Sequence, residues 1–220
     1  MRLIDVSNYQ GHPVWPVVAK MGHVSGAFLK ATEGTSFVDP TFARNRVEAT
    51  KAGVHVGPYH FAHPEKNDPV QEAVHFANVV GRLKVGELRP VLDYEPPTSM
   101  TESHALRWIQ FFNHEIKQRL GVWPIFYSYP ALIAHLGLKA PVGAGLWLAS
   151  YGVNDGKPHP TMVPTPWKKI VAHQFTSVGS VPGIAGHVDV DEAASLNALL
   201  AHPVRGQTRR PMAFVRRYFL

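Results

Sequence analysis

The sequence has no cysteine. Disulfides, thiolate nucleophiles, iron–sulfur clusters and Cys-ligated zinc are therefore excluded. No apolar run approaches the roughly 18 residues that span a bilayer. The opening segment, Met1-Arg2-Leu3-Ile4-Asp5-Val6-Ser7, lacks the apolar core of at least roughly seven residues that a secretory leader carries. The expectation is either a protein made in a host cytoplasm that acts after release, or a mature form. Phosphate-cradling loops and the HExxH pair of zinc proteases are also missing. The 13 histidines are scattered without a carboxylate–His set at zinc spacing, so neither a metal nor a cofactor is expected. Ser150 has no GxSxG elbow around it, which argues against acyl transfer.

What is there is apolar enough to fold. Hydrophobic residues make up 45% of the 220 positions and charged residues 17%, a balance that supports a packed core. Glycine (18) and proline (19) are frequent without a period, which predicts many loops. The net charge of +6 comes from 22 basic and 16 acidic side chains. Arg205, Arg209, Arg210, Arg216 and Arg217 all lie in the last 16 residues, which hold no acid; without them the balance is 17 to 16, or +1. The body is nearly neutral, so nucleic acid is not the expected partner.

Eight short runs rich in Val, Ile, Phe and Tyr read as strands: Leu3–Val6, Gly26–Thr32, Val54–Ala62, Pro90–Glu95, Trp123–Tyr129, Gly145–Tyr151, Lys169–Thr176 and Val188–Val190. Helical periods lie between them. Thr41–Ala52 has Phe42, Val47 and Ala49 at helical spacing and ends at Gly53; Asp68–Leu83 starts on an Asp-Pro cap; Glu102–Leu120 follows Thr101 and stops at Gly121. Glu192–Ala201 reads as a closing helix. Alternating strands and helices imply a parallel sheet with crossovers. Gly152–Trp167 and Ser177–Gly186 leave no room for long helices. The fold class is α/β: an irregular TIM-like barrel of about five β/α units plus three closing strands. One domain, residues 1–203, is followed by a basic extension, 204–220.

In such barrels chemistry sits at the C-terminal strand ends. Asp5 ends the first strand. Pro90-Val91-Leu92-Asp93-Tyr94-Glu95 ends in two acids, and the last strand carries Asp189 and Asp191. Residues i and i+2 of a strand share a face. Asp93 and Glu95 should therefore disturb each other's titration and keep a proton between them. Glycoside cleavage needs such a pair, an acid for the leaving oxygen beside an anion for the positive centre.

Several segments in order resemble glycoside hydrolase family 25, the Chalaropsis-type lysozymes. They are Asp5-Val6-Ser7-Asn8-Tyr9-Gln10-Gly11, Phe28 to Thr35, Asp39-Pro40-Thr41-Phe42, Ala52 to Ala62, Pro90 to Glu95, Phe126-Tyr127-Ser128, Leu146 to Tyr151, Gln174-Phe175-Thr176, and Val181 to Asp189. The resemblance implies the same irregular barrel and cleavage of the β-1,4 bond between N-acetylmuramic acid and N-acetylglucosamine. It implies Glu95 as general acid and Asp93 as the residue that orients the substrate's 2-acetamido group, with Asp5 and Asp189 completing the catalytic set. Tyr59, Tyr127, Trp147, His60, Gln174 and Asp191 are expected to contact or line the saccharide cleft. Trp15, Trp108 and Trp123 are expected in the packing, and Lys30 with Glu33 at the rim or bracing the barrel. Two departures stand out. His173 replaces the Trp that often precedes Gln174, and Asp191 replaces a frequent Asn.

The resulting expectation is a monomeric wall-lytic muramidase, a phage endolysin in setting, with peptidoglycan as partner. The Arg-rich tail would add contact with an anionic envelope. The alternatives are a non-catalytic wall-binding or virion protein on the same barrel, and a chitinase-like hydrolase.

Overall fold

The computed structural model describes residues 1–95 and 100–202; the basic extension from 204 onward lies outside them. The described strands are β1 (Arg2–Val6), β2 (Val24–Glu33), β3 (Phe37–Val38), β4 (His55–Phe61), β5 (Val91–Asp93), β6 (Ile125–Ser128), β7 (Leu146–Ala149), β8 (Ala172–Gly179) and β9 (Val188–Glu192). The helices are α1 (Trp15–Lys20), α2 (Phe42–Lys51), α3 (Pro69–Val80), α4 (Glu102–Leu120) and α5 (Pro130–Leu136).

The strands follow one another in the order β1, β9, β8, β7, β6, β5, β4, β2, and β1 also pairs with β2, which closes an eight-membered ring. Strand β3 hangs from β2 as a short hairpin partner. Within the ring all neighbours are parallel except β9, which runs antiparallel to both β8 and β1. Five β/α units are thus followed by three strands with only loops between them. This is the expected architecture with an inverted last strand.

Local chemistry sets the helix ends. Asp68 accepts hydrogen bonds from the Val70 and Gln71 amides, and Pro69 occupies the first helical position of α3. Thr101 caps α4, and Gly121 ends it in the left-handed conformation that glycine adopts without a Cβ clash. The face of α4 resolves a choice the sequence leaves open: Phe112 is fully buried, whereas Phe111 is largely turned outward. In α2 the buried positions are Phe42, Asn45 and Ala49, while Val47 faces solvent. Asn45 earns its place by accepting from the Trp15 indole at 3.1 Å.

Two cores result. An outer one lies between sheet and helices, around Ile4, Leu29, Phe76, Ile109, Phe112 and Phe126. An inner one plugs the barrel with Leu3, Phe28, Leu88, Val91, Ile125 and Trp147. Gly57 belongs to that plug, where a Cβ would meet the Leu88 side chain at 2.7 Å. The plug fills the lower barrel, so only the mouth is open to a ligand.

Two expectations fail. Glu192–Ala201 is not a helix: β9 runs through Glu192, and only a single 3-10 turn forms at Leu196–Ala198. The apolar residues are claimed by the barrel's underside instead. Leu199 accepts from the Arg89 amide, Leu200 bridges to Leu88, and the Ala201 amide donates to Glu87. Trp123 is 42% exposed and lies beside His114 rather than in a core. Trp15 and Trp108 are buried as expected.

Candidate active site

The open mouth is a cleft of about 290 Å³ lined by Asp5, Asp93, Glu95 and Asp189, with Tyr59, Tyr127, Trp147, Tyr151 and Gln174 between them. Strand ends deliver these side chains. Asp5 comes from β1, Tyr59 from β4, Asp93 and Glu95 from β5 and the residues just past it, and Tyr127 from β6. Asp189 reaches the same level by a different route. Because β9 is antiparallel, its beginning rather than its end lies at the mouth, and Asp189 stands opposite Asp5 in register.

Asp93 and Glu95 share a hydrogen bond between their carboxyl groups, which requires a proton on one of them. Burial is the main cause that raises both, and each acts on the other. They titrate as a pair. Asp5 is held well above the usual carboxylate range, first by burial and then by Asp189 and Asp191. Asp189 is pushed up to about 6 by burial and by the charge of Glu95. Lys30 is the one cation lining the cleft among the described residues, and its charge pulls Asp93 and Glu95 back down. The mouth is a nest of acids that holds protons at pH values where a free carboxylate has lost them.

Gln174 is the hub beneath these acids. Its amide oxygen accepts from the Tyr127 hydroxyl at 2.7 Å and from the Tyr151 hydroxyl at 2.6 Å. Its amide nitrogen donates to Asp5 Oδ2 at 2.7 Å. Being only 2% exposed, Gln174 fixes its neighbours more than it meets a ligand. Trp147 forms the floor, one face stacked on Phe28 at 4.5 Å between centroids and Tyr127 against it edge-on.

Two expected cleft residues lie elsewhere. His60 is on β4 next to Tyr59, and alternation turns it to the opposite face, away from the cleft. There it is fully buried, with Nδ1 2.8 Å from Thr32 Oγ1 and Nε2 2.8 Å from Glu72 Oε2. Burial lowers its titration, so it is neutral and donates from Nε2 to Glu72. It joins β4 to α3. Asp191 faces inward like Asp189 but one layer deeper, because β9 descends from the mouth. It is wholly buried and accepts from the Trp147 indole at 2.8 Å. His173, in place of the family's frequent Trp, also faces outward, 2.8 Å from the Ser150 carbonyl.

The cleft contains residues that carried no role in the sequence reading: Ser7, Tyr9, Gln10, Phe61 and Tyr151. All lie at the loop-side ends of strands, which was the available signal. Lys30 both lines the cleft and donates to Glu33 Oε2 at 2.6 Å, and Glu33 in turn meets His63 at 2.9 Å. Among the described residues no group of three or more His, Asp or Glu has the arrangement of a metal site.

A closed barrel whose mouth carries a hydrogen-bonded carboxyl pair facing two further acids has the build of a carboxyl-based barrel hydrolase. The comparisons with known proteins narrow this: the chain belongs to the glycosyl hydrolases family 25, whose model matches residues 4–184. It is 32% identical over 201 residues to "Lysozyme M1" of Streptomyces globisporus, covering 84% of this chain and 65% of that protein. It is 29% identical over 193 residues to the "Autolytic lysozyme" of Clostridium acetobutylicum, covering 87% of this chain and 55% of that protein. The chain thus spans less than two thirds of the length of either. Among solved structures, the bacterial lysozyme from Streptomyces coelicolor superposes with a TM-score of 0.79 at 30% identity, covering 89% of this chain and 92% of that one.

Proposed function

We propose that the protein is a muramidase that hydrolyses the β-1,4 bond between N-acetylmuramic acid and N-acetylglucosamine in peptidoglycan. The observation that carries this reading is the Asp93–Glu95 carboxyl pair, hydrogen-bonded and raised by burial, at the open end of a family 25 barrel. The lysozymes to which the chain is similar support the substrate.

In the reading we favour, Glu95 gives its proton to the glycosidic oxygen as the C1–O bond breaks. The substrate's own acetamido oxygen bonds to C1, held in place by Asp93 through the acetamido N–H. Water then adds to C1, Glu95 takes its proton, and the acetamido group is restored. The closeness of the pair supports this route. An inverting pair stands roughly 6.5–9.5 Å apart to admit a water, and two carboxyls sharing a hydrogen bond leave no such gap. On the opposite wall Asp189, ionised above about pH 6, stabilises the positive charge that develops on the sugar ring, and Asp5, which keeps its proton more strongly, holds a sugar hydroxyl.

The test is release of new reducing ends from purified peptidoglycan. Glu95→Gln should abolish it, a loss of at least a thousandfold, with an unchanged circular dichroism spectrum. Turnover close to wild type in Glu95→Gln would overturn the assignment. Mass spectrometry of the digest should find muramic acid at the new reducing end.

For the setting we propose a phage endolysin; host cells that survive its co-expression with a membrane-permeabilising protein would count against it. The Arg-rich extension we assign to contact with anionic wall polymer. Deleting 204–220 should weaken pelleting with whole cell walls at low salt and leave turnover of soluble fragments intact; unchanged pelleting would remove that role.

A further inference from the structure

The cleft aromatics differ in how much of their ring is free. Trp147 and Tyr127 are 2% and 5% exposed and are engaged by Phe28, Gln174 and each other. Tyr9 also lines the cleft, yet it is 86% exposed. It contributes almost nothing to the core, and its ring stands in water at the rim.

The backbone beneath it is nonetheless held firmly. Tyr9 sits in a single 3-10 turn, Asn8–Gln10, closed by a reciprocal cap. The Gln10 side chain accepts from the Ser7 amide at 2.9 Å, and the Ser7 hydroxyl accepts from the Tyr9 amide at 3.3 Å. The Asn8 amide donates to Asp39 Oδ2 at 2.8 Å, and Asp39, itself buried, is fixed through Oδ1 by the Thr41 amide and hydroxyl. Gly11 ends the turn at a φ of +61°, where a side chain would be strained. An exposed aromatic on a preorganised turn loses little entropy when something packs on it.

Its place in the ring says what that would be. Tyr9 follows β1, which lies three strands from β5 around the barrel. Four residues past Asp5 on the loop side, its ring stands at the rim of the cleft, outward of the buried Asp5 and Asp93. A sugar stacked on it lies outward of the one held between those acids. Four of the lining side chains are acids, which gain nothing from the carboxylate of muramic acid; an apolar ring face offers a sugar what the acids do not.

We propose that Tyr9 is a glycan-stacking residue that binds a sugar remote from the cleavage point and so makes the enzyme prefer long strands. This deepens the muramidase reading and rests on it. The test compares wild type with Tyr9→Ala, Tyr9→Phe and Tyr9→Trp. The substrates are purified glycan strands and short soluble oligosaccharides of the same two sugars. Tyr9→Ala should raise KM for long strands roughly tenfold, the scale of one aromatic contact. The value of kcat and the thermal midpoint should stay near wild type, and short oligosaccharides should be cleaved normally. Tyr9→Phe and Tyr9→Trp should restore the long-strand KM, since the ring face is what acts.

A long-strand KM for Tyr9→Ala within twofold of wild type overturns the proposal. So does a Tyr9→Phe variant as impaired as Tyr9→Ala, which would assign the effect to the hydroxyl. Calorimetric titration of glycan strands into wild type and Tyr9→Ala separates this inference from the function it rests on. If wild type releases no reducing ends but Tyr9→Ala binds strands tenfold more weakly, the catalytic reading falls and the stacking role stands. Equal binding by the two refutes the stacking role.

Discussion

Replacing Asp189 by asparagine removes one acid from a crowded mouth and should make the protein more stable at neutral pH. The carboxyl titrates at about 6 in the folded chain, against an ordinary value of 3.8. Between these values the folded state binds the proton more tightly than the unfolded one, so stability falls as pH rises through the window. Above it the full loss is present. The shift corresponds to about 3 kcal/mol, an upper figure because Asp189 is partly exposed and solvent screens it. Asparagine cannot ionise and escapes the loss. It also relieves Asp5 and Asp191, both raised in part by the charge of Asp189. For a chain of this size each kcal/mol moves the thermal midpoint by roughly 2–4 °C. Asp189→Asn should therefore melt up to about 10 °C above wild type at pH 7.5 and near wild type at pH 4. Urea unfolding at the two pH values would give the same difference as free energy. A gap between the proteins that does not change with pH, or a variant less stable at pH 7.5, would refute the reasoning. The gain should come with impaired turnover, because the same crowding keeps protons in the cleft.

Other consequences can be measured directly. Arg46 makes two bonds of 2.8 Å to the buried Glu87 and donates to the Val80 carbonyl. Arg46→Met leaves that carboxylate unpaired and should cost about 3–5 kcal/mol in urea unfolding, and adding Glu87→Leu should recover most of it. Gln174→Leu strips partners from two tyrosine hydroxyls and from Asp5. It should cost at least about 2 kcal/mol and lower kcat, read by unfolding and by reducing-end assay. Attack by the acetamido group predicts that the first product formed keeps the β configuration, which proton NMR of a fresh digest will report; an α product would exclude that route.

Much of the barrel is legible because its strands and long helices have clean periods. Helix α4 is expected at the residues where it forms, since both its ends carry caps. The short helices α1 and α5 have six and seven residues, too few for a period to show. Glu192–Ala201 has helical spacing, but its leucines are worth more under the barrel than on a free helix. At the site, the i, i+2 rule brings Asp93 and Glu95 together. The same alternation, applied to neighbours, would have turned His60 outward. Asp189 and Asp191 are harder. Sequence puts them on one face, yet which is nearer the mouth depends on the direction of β9, and that is set by its pairing with β1 and β8. Tyr9 is hidden for another reason: an exposed aromatic in a turn has no pattern around it.

The inverted closing strand also bears on how the protein is made. Among the described residues β9 is the strand that pairs with both β8 and β1, and the Gln174–Asp5 bond joins residues 169 apart. At roughly 5–20 residues per second, β1 waits on the order of 10–40 s for its partner to be synthesised. Until then its edge is unpaired and open to other chains, and the two walls of the cleft have not met. Contacts of such long range make folding slow. The cleft is therefore incomplete until the last strand of the ring is in place, and a chain still lacking it has no assembled site.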